Sequence, residues 1–333
     1  MDGEAAEFHF LDAFGIVGEA CKIVRREAKL LGGIALTLLL PLPFIIQVYR
    51  LISEPLLSKI MMNVALSGIE VSSPAAESIR HNLHFQIAEL LLMTALYVTL
   101  VFAFSLLSRS AVVYTVAATY AGKELVYTKI MRIVPRVWKR LILTFLWFFL
   151  IMFLYHVVTV VALTFWILIY GAFGLKKETL IVGVFLIFIV AFPFYVYITL
   201  LWQLASVVCV VEDKQGLSAV KKSNQLIKGK RGTALTLNIL YGLFMVVIGG
   251  VQSYSVYGKG QQLMSVGFIV MVVLLQCVVD LVWLLTHAVL YFVCKSCHHE
   301  DIDLKALSNH LETYNGGYML LKDGSVDFEM FIP

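Results

Sequence analysis

Long apolar runs alternate with shorter, basic stretches along the whole 333-residue chain. Runs long enough to cross about 30 Å of hydrocarbon at 1.5 Å per residue fall at roughly 29–49, 84–108, 141–171, 179–210, 232–252 and 264–293. The pattern predicts an all-α fold, a polytopic transmembrane helix bundle of six spans. Spans three, four and six are longer than a perpendicular crossing needs, which predicts tilt or helix ends that continue as interfacial turns. The chain then divides into a cytosolic N-terminal segment with an amphipathic helix at 1–28, a six-span membrane domain at 29–294, and a tail at 295–333.

The stretches ahead of the odd-numbered spans resemble one another. "FGIVGEACKIVRREAKLLGG" precedes span one, "ELVYTKIMRIVPRVWKRLIL" span three and "GLSAVKKSNQLIKGKRGTAL" span five. Aligning Lys22-Ile23-Val24-Arg25 with Arg132-Ile133-Val134-Pro135 and Gln225-Leu226-Ile227-Lys228 brings three apolar/basic helical patterns into register. The chain therefore reads as three repeats of interfacial helix, span, outer loop and span. In the third repeat Leu217, Val220, Asn224 and Ile227 share a face. Such a helix is expected to lie in the headgroup plane with its apolar side in the acyl boundary. Lys221, Lys222, Lys228 and Lys230, with Arg132 and Arg136 in the second repeat and Arg25 and Arg26 in the first, are the expected contacts to anionic headgroups.

A mean hydropathy of +0.87 with only 14% charged residues leaves too little polar surface to coat a water-soluble globule. The opening MDGEAAEFHF lacks both the apolar core of a cleaved signal and the Arg/Ser bias of a transit peptide. The first span is thus expected to act as the insertion signal. Twenty Lys and Arg residues fall in the stretches on one side of the spans and six on the other, which places both termini in the cytosol. The outer loops hold no cysteine, so no disulfide framework is expected there.

Candidate chemistry lies in the polar residues inside the spans, because an ionisable side chain in hydrocarbon costs at least about 2.5 kcal/mol and is usually paired or functional. Asp280 falls at the middle of span six, with Gln276 one turn before and His287 two turns after it on the same stripe. His156, at the middle of span three, is nearest to it in depth. Gln203, Asn238 and His287 form a second level nearer the cytosol. Two layers are expected: Asp280 with His156 near the midplane, and an amide/imidazole layer below.

Cys294-Lys-Ser-Cys297-His298-His299 has zinc-knuckle spacing at its start, but it is crowded against a span end without a second ligand pair. Cys294 and Cys297 are better read as candidate S-acylation sites. Pro41, Pro43 and Pro193 are expected to kink spans one and four. No phosphate-cradling glycine loop, dinucleotide fingerprint or serine elbow is present, so no cofactor, metal or catalytic set is expected. The basic charge lacks interleaved aromatic platforms and is assigned to lipid, with no nucleic-acid partner expected.

"VEDKQGLSAVKKSNQLIKGKR" before a span and "FLDAFGIVGEACKIVRREAKLLGGIALTLLLPL" near the start resemble the membrane domain fused to some bacterial glycerophosphodiester phosphodiesterases. "FSLLSRSAVVYTVAATYAGK" and "CKSCHHEDIDLKALSNHLE" resemble more closely a plant family of uncharacterised six-span proteins. The resemblance covers nearly the whole chain and implies a fold and a membrane address. The phosphodiesterase chemistry of the bacterial fusions belongs to a separate soluble barrel, and no segment here is polar enough to be one.

These readings favour a non-enzymatic membrane organiser on the cytosolic leaflet of an endomembrane or the plasma membrane, binding anionic lipid through its basic helices. The alternatives are a carrier using the Asp280/His156 layer and an enzyme acting on a lipid-soluble substrate. The 295–333 tail carries seven acidic and three basic side chains. It is expected to form a short helix and a hairpin that dock on the basic helices or on a cytosolic partner protein. The topology has a direct check. With cysteine placed at Ser72 or Lys222, a membrane-impermeant thiol reagent should label the two positions from opposite sides; labelling from one side sinks the assignment.

Overall fold

The computed structural model describes residues 12–67, 74–122, 126–174, 176–212, 214–257 and 266–298. These form helices α1 (Ala13–Arg26), α2 (Ala28–Ile34), α3 (Pro41–Ser67), α4 (Pro74–Tyr120), α5 (Tyr127–Phe173), α6 (Lys177–Val211), α7 (Leu217–Leu226), α8 (Arg231–Tyr257) and α9 (Val266–Cys297). No strand occurs among the described residues. Six segments are long and apolar enough to cross a membrane: Ala28–Val64, Asn82–Tyr120, Leu141–Phe173, Lys177–Val211, Arg231–Gln252 and Gly267–Cys297. They match the six expected spans, and the protein is an all-α polytopic bundle. The tail helix and hairpin expected at 299–333 lie outside the described residues.

Helix length exceeds bilayer thickness. The 47 residues of α4 run about 70 Å at 1.5 Å per residue, more than twice the hydrocarbon core. Burial shows where the excess goes. Residues 110–119, 202–211 and 283–294 are buried without interruption, whereas most large side chains of spans three and four, from Phe149 to Phe165 and from Ile181 to Phe194, face outward. A helix buried on every side needs neighbours on every side. α4, α6 and α9 pack on one another, and α1 and α7 cover the remaining faces. The other half of the bundle presents its apolar surface to lipid.

Small residues permit the close approach. Ala111, Ala117 and Ala118 on α4 share one buried cluster with Ala205 on α6 and Ala288 on α9, and Ser108 and Ser110 on α4 and Ser206 on α6 are buried too; small side chains let helix backbones come together without hydrophobic drive. Their hydroxyls are satisfied locally: Ser110 donates to the Leu107 carbonyl at 2.9 Å, Thr115 to Ala111 at 2.8 Å and Thr119 to Thr115 at 2.9 Å. The stretch 109–120, read from the sequence as the start of a loop, is thus the most enclosed part of span two.

The three repeats are realised unequally. α1 and α7 are separate amphipathic helices, while the middle copy is continuous with span three in α5. Neither separate helix has its apolar face in lipid. α1 sets Ile16, Ala20 and Ile23 into the protein core, packed on α9. At Gly216 (φ 60°, ψ −135°), a conformation that favours glycine, the chain reverses. α7 then runs back along α6, with the Ser223 hydroxyl on the Leu201 carbonyl at 3.2 Å and the Tyr197 hydroxyl on Asn224 at 2.6 Å. The Gly216 amide donates to the Thr144 hydroxyl at 2.9 Å, tying the turn to α5. The buried face is Ala219, Ser223, Leu226 and Ile227, with Leu217 41% exposed. The expected 217/220/224/227 stripe is therefore rotated: a protein groove with a hydrogen-bonding wall selects Ser223, which lipid would not.

Span one passes into a wider turn just ahead of its prolines. Pro41 and Pro43 lack the amides that would continue the α-helical ladder. Residues Ala35–Leu39 form a π segment closed by the Leu40 amide on the Ala35 carbonyl at 2.7 Å, after which α3 starts at Pro41. Helix α6 continues through Pro193.

The span three–four hairpin is locked by a ring over a glycine. The Trp166 indole donates to the Leu180 carbonyl at 3.3 Å and covers Gly183 so closely that a Cβ there would overlap it. Gly183→Val should lower stability in detergent by about 1–3 kcal/mol through overpacking. Gly171→Val, with open space around it, should not; an unchanged thermal midpoint for Gly183→Val refutes the seated indole.

Candidate functional site

Asp280 lies half-buried on α9, and its partner is Tyr241 of α8, whose hydroxyl donates to Oδ1 at 2.9 Å. Tyr241 stacks on Trp283 with ring centres 4.1 Å apart and planes at 12°. Trp283 in turn meets His287 edge-on at 3.8 Å and 61°. One line of contacts thus runs from the carboxylate through two stacked rings to the imidazole. The His287 Nδ1 lies 2.9 Å from the Trp283 carbonyl. A carbonyl only accepts, so Nδ1 carries the proton and a neutral ring leaves Nε2 as an acceptor. That Nε2 is buried without a hydrogen-bond partner, as is Gln203 Oε1 on α6.

A second charge among the spans is Arg109 of α4. Its guanidinium sits 5.8 Å above the Trp202 ring. By ending span two at 108, the sequence reading left this residue among the basic stretches outside the spans. The signal was available: "AVVYTVAATY" after Arg109 is a further ten residues of apolar and small side chains, so the arginine lies inside a hydrophobic run.

The predicted midplane pair does not form. His156 is on the exposed side of α5, its ring 5.3 Å from that of Tyr155, while Asp280 is held by Tyr241. α5 packs mainly on α4 and α6, so equal depth did not place the two side chains on facing helices. Gln276 and Asn238 are half-buried on α9 and α8. Cys277, beside Asp280 on α9, points its sulfur at the Ala35 carbonyl of the π segment, 3.9 Å away. Cys294 is fully enclosed in the core, which removes it from the reach of an acylating enzyme in this fold. Cys297 is half-buried, its Cβ beside Gly229.

The basic residues divide as well. Arg25, Arg26, Lys221 and Lys228 are exposed, and Lys222 and Lys230 are half-buried. Arg26 lies 3.7 Å from Glu27. Arg132 and Arg136 belong to α5, with side chains outside the described residues. At the base of α6, Glu212 accepts from the buried Tyr291 hydroxyl at 2.7 Å and pairs with Lys214 at 3.1 Å. A second polar set ties the opposite end of the bundle: Arg50 bonds Gln252, Tyr49 bonds Thr94 at 3.0 Å, and Asn63 bonds Gln86 at 3.0 Å. Among the described residues no group of three or more His, Cys, Asp or Glu is placed to hold a metal ion.

A helix bundle with charged side chains among its spans defines a multi-pass membrane protein. Residues 1–331 match the family described as "Domain of unknown function (DUF8558)", and the chain belongs to that family. No curated protein and no solved structure matches the chain.

The Tyr241–Asp280 bond can be measured directly. Across a double-mutant cycle of Tyr241→Phe and Asp280→Asn in detergent, the coupling should be about 0.6–2 kcal/mol, the range for hydrogen bonds between membrane helices. Coupling near zero would mean that the carboxylate is held elsewhere.

Proposed function

We propose that the protein is a non-enzymatic membrane organiser whose rigid basic face gathers anionic phospholipid headgroups on the cytosolic leaflet, with the acidic tail as the contact for a protein partner. One observation carries this reading: α1 and α7 bury their apolar faces inside the protein while Arg25, Arg26, Lys221 and Lys228 point outward. A free amphipathic segment must order itself on the membrane, which consumes part of its binding energy. Helices already fixed by the core meet the headgroups with that ordering complete. Each basic residue near an anionic surface contributes about 1 kcal/mol.

The resemblance to the membrane domain of bacterial glycerophosphodiester phosphodiesterases and to plant six-span proteins fits this role, since that domain stands apart from any catalytic barrel. A carrier is the second reading, now resting on Arg109, Tyr241, Asp280 and His287 inside the spans rather than on an Asp280/His156 pair. An endomembrane or plasma-membrane site follows from the same resemblance.

The test is lipid retention. Purified protein offered equal amounts of phosphatidylserine and phosphatidylcholine should retain the serine lipid preferentially by native mass spectrometry. Replacing Arg25, Arg26, Lys221 and Lys228 with Gln should reduce that preference at least tenfold without lowering the thermal midpoint. A preference that survives all four substitutions overturns the proposal.

A further inference from the structure

We infer that the turn joining α7 to α8 is a docking surface for the first carboxylates of the tail, Glu300, Asp301 and Asp303, and that anionic headgroups displace them to reach the basic face. The inference rests on the basic-face reading and adds what covers that face when no lipid is bound.

The place where α9 ends is the first ground. The His298 amide closes on the Lys295 carbonyl at 3.2 Å, a tight turn that finishes the helix. The His298 ring then reaches across to the chain that follows α7. Its Nε2 lies 3.1 Å from the Leu226 carbonyl, and since a carbonyl only accepts, Nε2 carries the proton. Gly229 lies against both final residues: a Cβ there would stand 3.6 Å from the His298 Nε2 and 3.8 Å from the Cys297 Cβ. The end of α9 is therefore fastened to the short 3-10 turn Ile227–Gly229, whose middle residue is Lys228 and which Lys230 and Arg231 follow.

Covalent reach is the second ground. A residue advances the chain by at most about 3.6 Å, so the Cα of Glu300 lies within roughly 7 Å of that of His298 and the Cα of Asp303 within roughly 18 Å. Lysine adds the length of a flexible four-carbon stem. All three carboxylates can thus meet the cations of the turn, whatever path the rest of the tail takes.

Charge is the third ground. Between Leu226 and Thr233 the chain carries Lys228, Lys230 and Arg231 and no acidic residue. Lys228 and Arg231 are exposed and belong to none of the ion pairs among the described residues. Three cations face three carboxylates. An anion tethered so close is held at an effective concentration on the order of millimolar, which puts it ahead of any dilute soluble competitor. Single surface pairs are weak, so a dense anionic membrane surface, attracting every basic residue of the face at once, can still displace it.

The experiment uses the full chain in detergent. Carbodiimide joins an amine to a carboxylate with no spacer. Without lipid it should link Lys228 or Lys230 to Glu300, Asp301 or Asp303, read by mass spectrometry of the digested protein, and phosphatidylserine, but not phosphatidylcholine, should abolish the link. Replacing Glu300 with Gln and Asp301 and Asp303 with Asn should raise the preference for phosphatidylserine over phosphatidylcholine about fivefold, the size of one cation's contribution at an anionic surface. The same loss of three charges farther along the tail, at Asp323, Asp327 and Glu329, should leave the preference as it was, which separates docking from net charge. No link at the turn, as expected of a tail kept wholly for a protein partner, overturns the inference. So does a link that phosphatidylserine leaves intact, or an equal rise from both triple variants. The basic-face reading is judged on the fourfold Gln variant of Arg25, Arg26, Lys221 and Lys228, whose serine preference is read independently of the link, so the two proposals can fail separately.

Discussion

Everything in this bundle depends on the close packing of α4, α6 and α9 along 110–119, 202–211 and 283–294. In a bilayer, burying leucine against leucine gains little, because the acyl chains it leaves are equally apolar. Association has to come from dispersion across well-fitted surfaces and from polar contacts. The serines and alanines of α4 supply the fit, and α1 and α7 seal the sides that lipid would otherwise occupy. The covering helices are therefore structural first. Their lysines and arginines project from a surface that the core has already fixed.

That packing also explains why an arginine and an aspartate can persist among the spans. Arg109 and Asp280 sit at the edge of the close-packed region, the arginine one residue before its start on α4 and the aspartate three residues before it on α9. There Trp202 lies under the guanidinium, and Tyr241, stacked on Trp283, donates its hydroxyl to the carboxylate. Neither charge faces hydrocarbon unaided. Aromatic support of a guanidinium and a phenol donor to a carboxylate lower the desolvation cost that isolated charges would incur.

The six spans were legible in the sequence because length and hydropathy set them almost alone. The partners of each span were not. Lipid and protein are both apolar neighbours, so Val207, buried, and Val190, exposed, look alike in sequence. His156 and Asp280 show the result: depth could be counted along the chain, but azimuth could not. The same ambiguity rotated the face of α7, where Ser223 and not Leu217 turned inward. Asp280 drew notice in the sequence as an ionisable residue at mid-span, while Arg109 was concealed by the habit of assigning cations to loops. Cys294 was misread for the converse reason. Proximity to a span end suggested access, but burial on α9 runs unbroken through Cys294.

The lipid-exposed half shows by contrast where selectivity can arise. Spans three and four enclose a groove of about 690 Å³ walled by residues such as Leu154, Val158, Leu186 and Phe194, beneath the Tyr155 hydroxyl bound to the Ala191 carbonyl at 3.1 Å. Its walls are almost wholly apolar, and its one phenol is already engaged. Acyl chains of any lipid fill such a groove equally well, since one methylene more or less changes apolar contact without breaking a directional bond. Discrimination needs polar groups whose requirements a wrong ligand leaves unmet. Within the described spans such groups include Arg109, Asp280, His287 and Gln203, so the most apolar surface of the protein is its least selective.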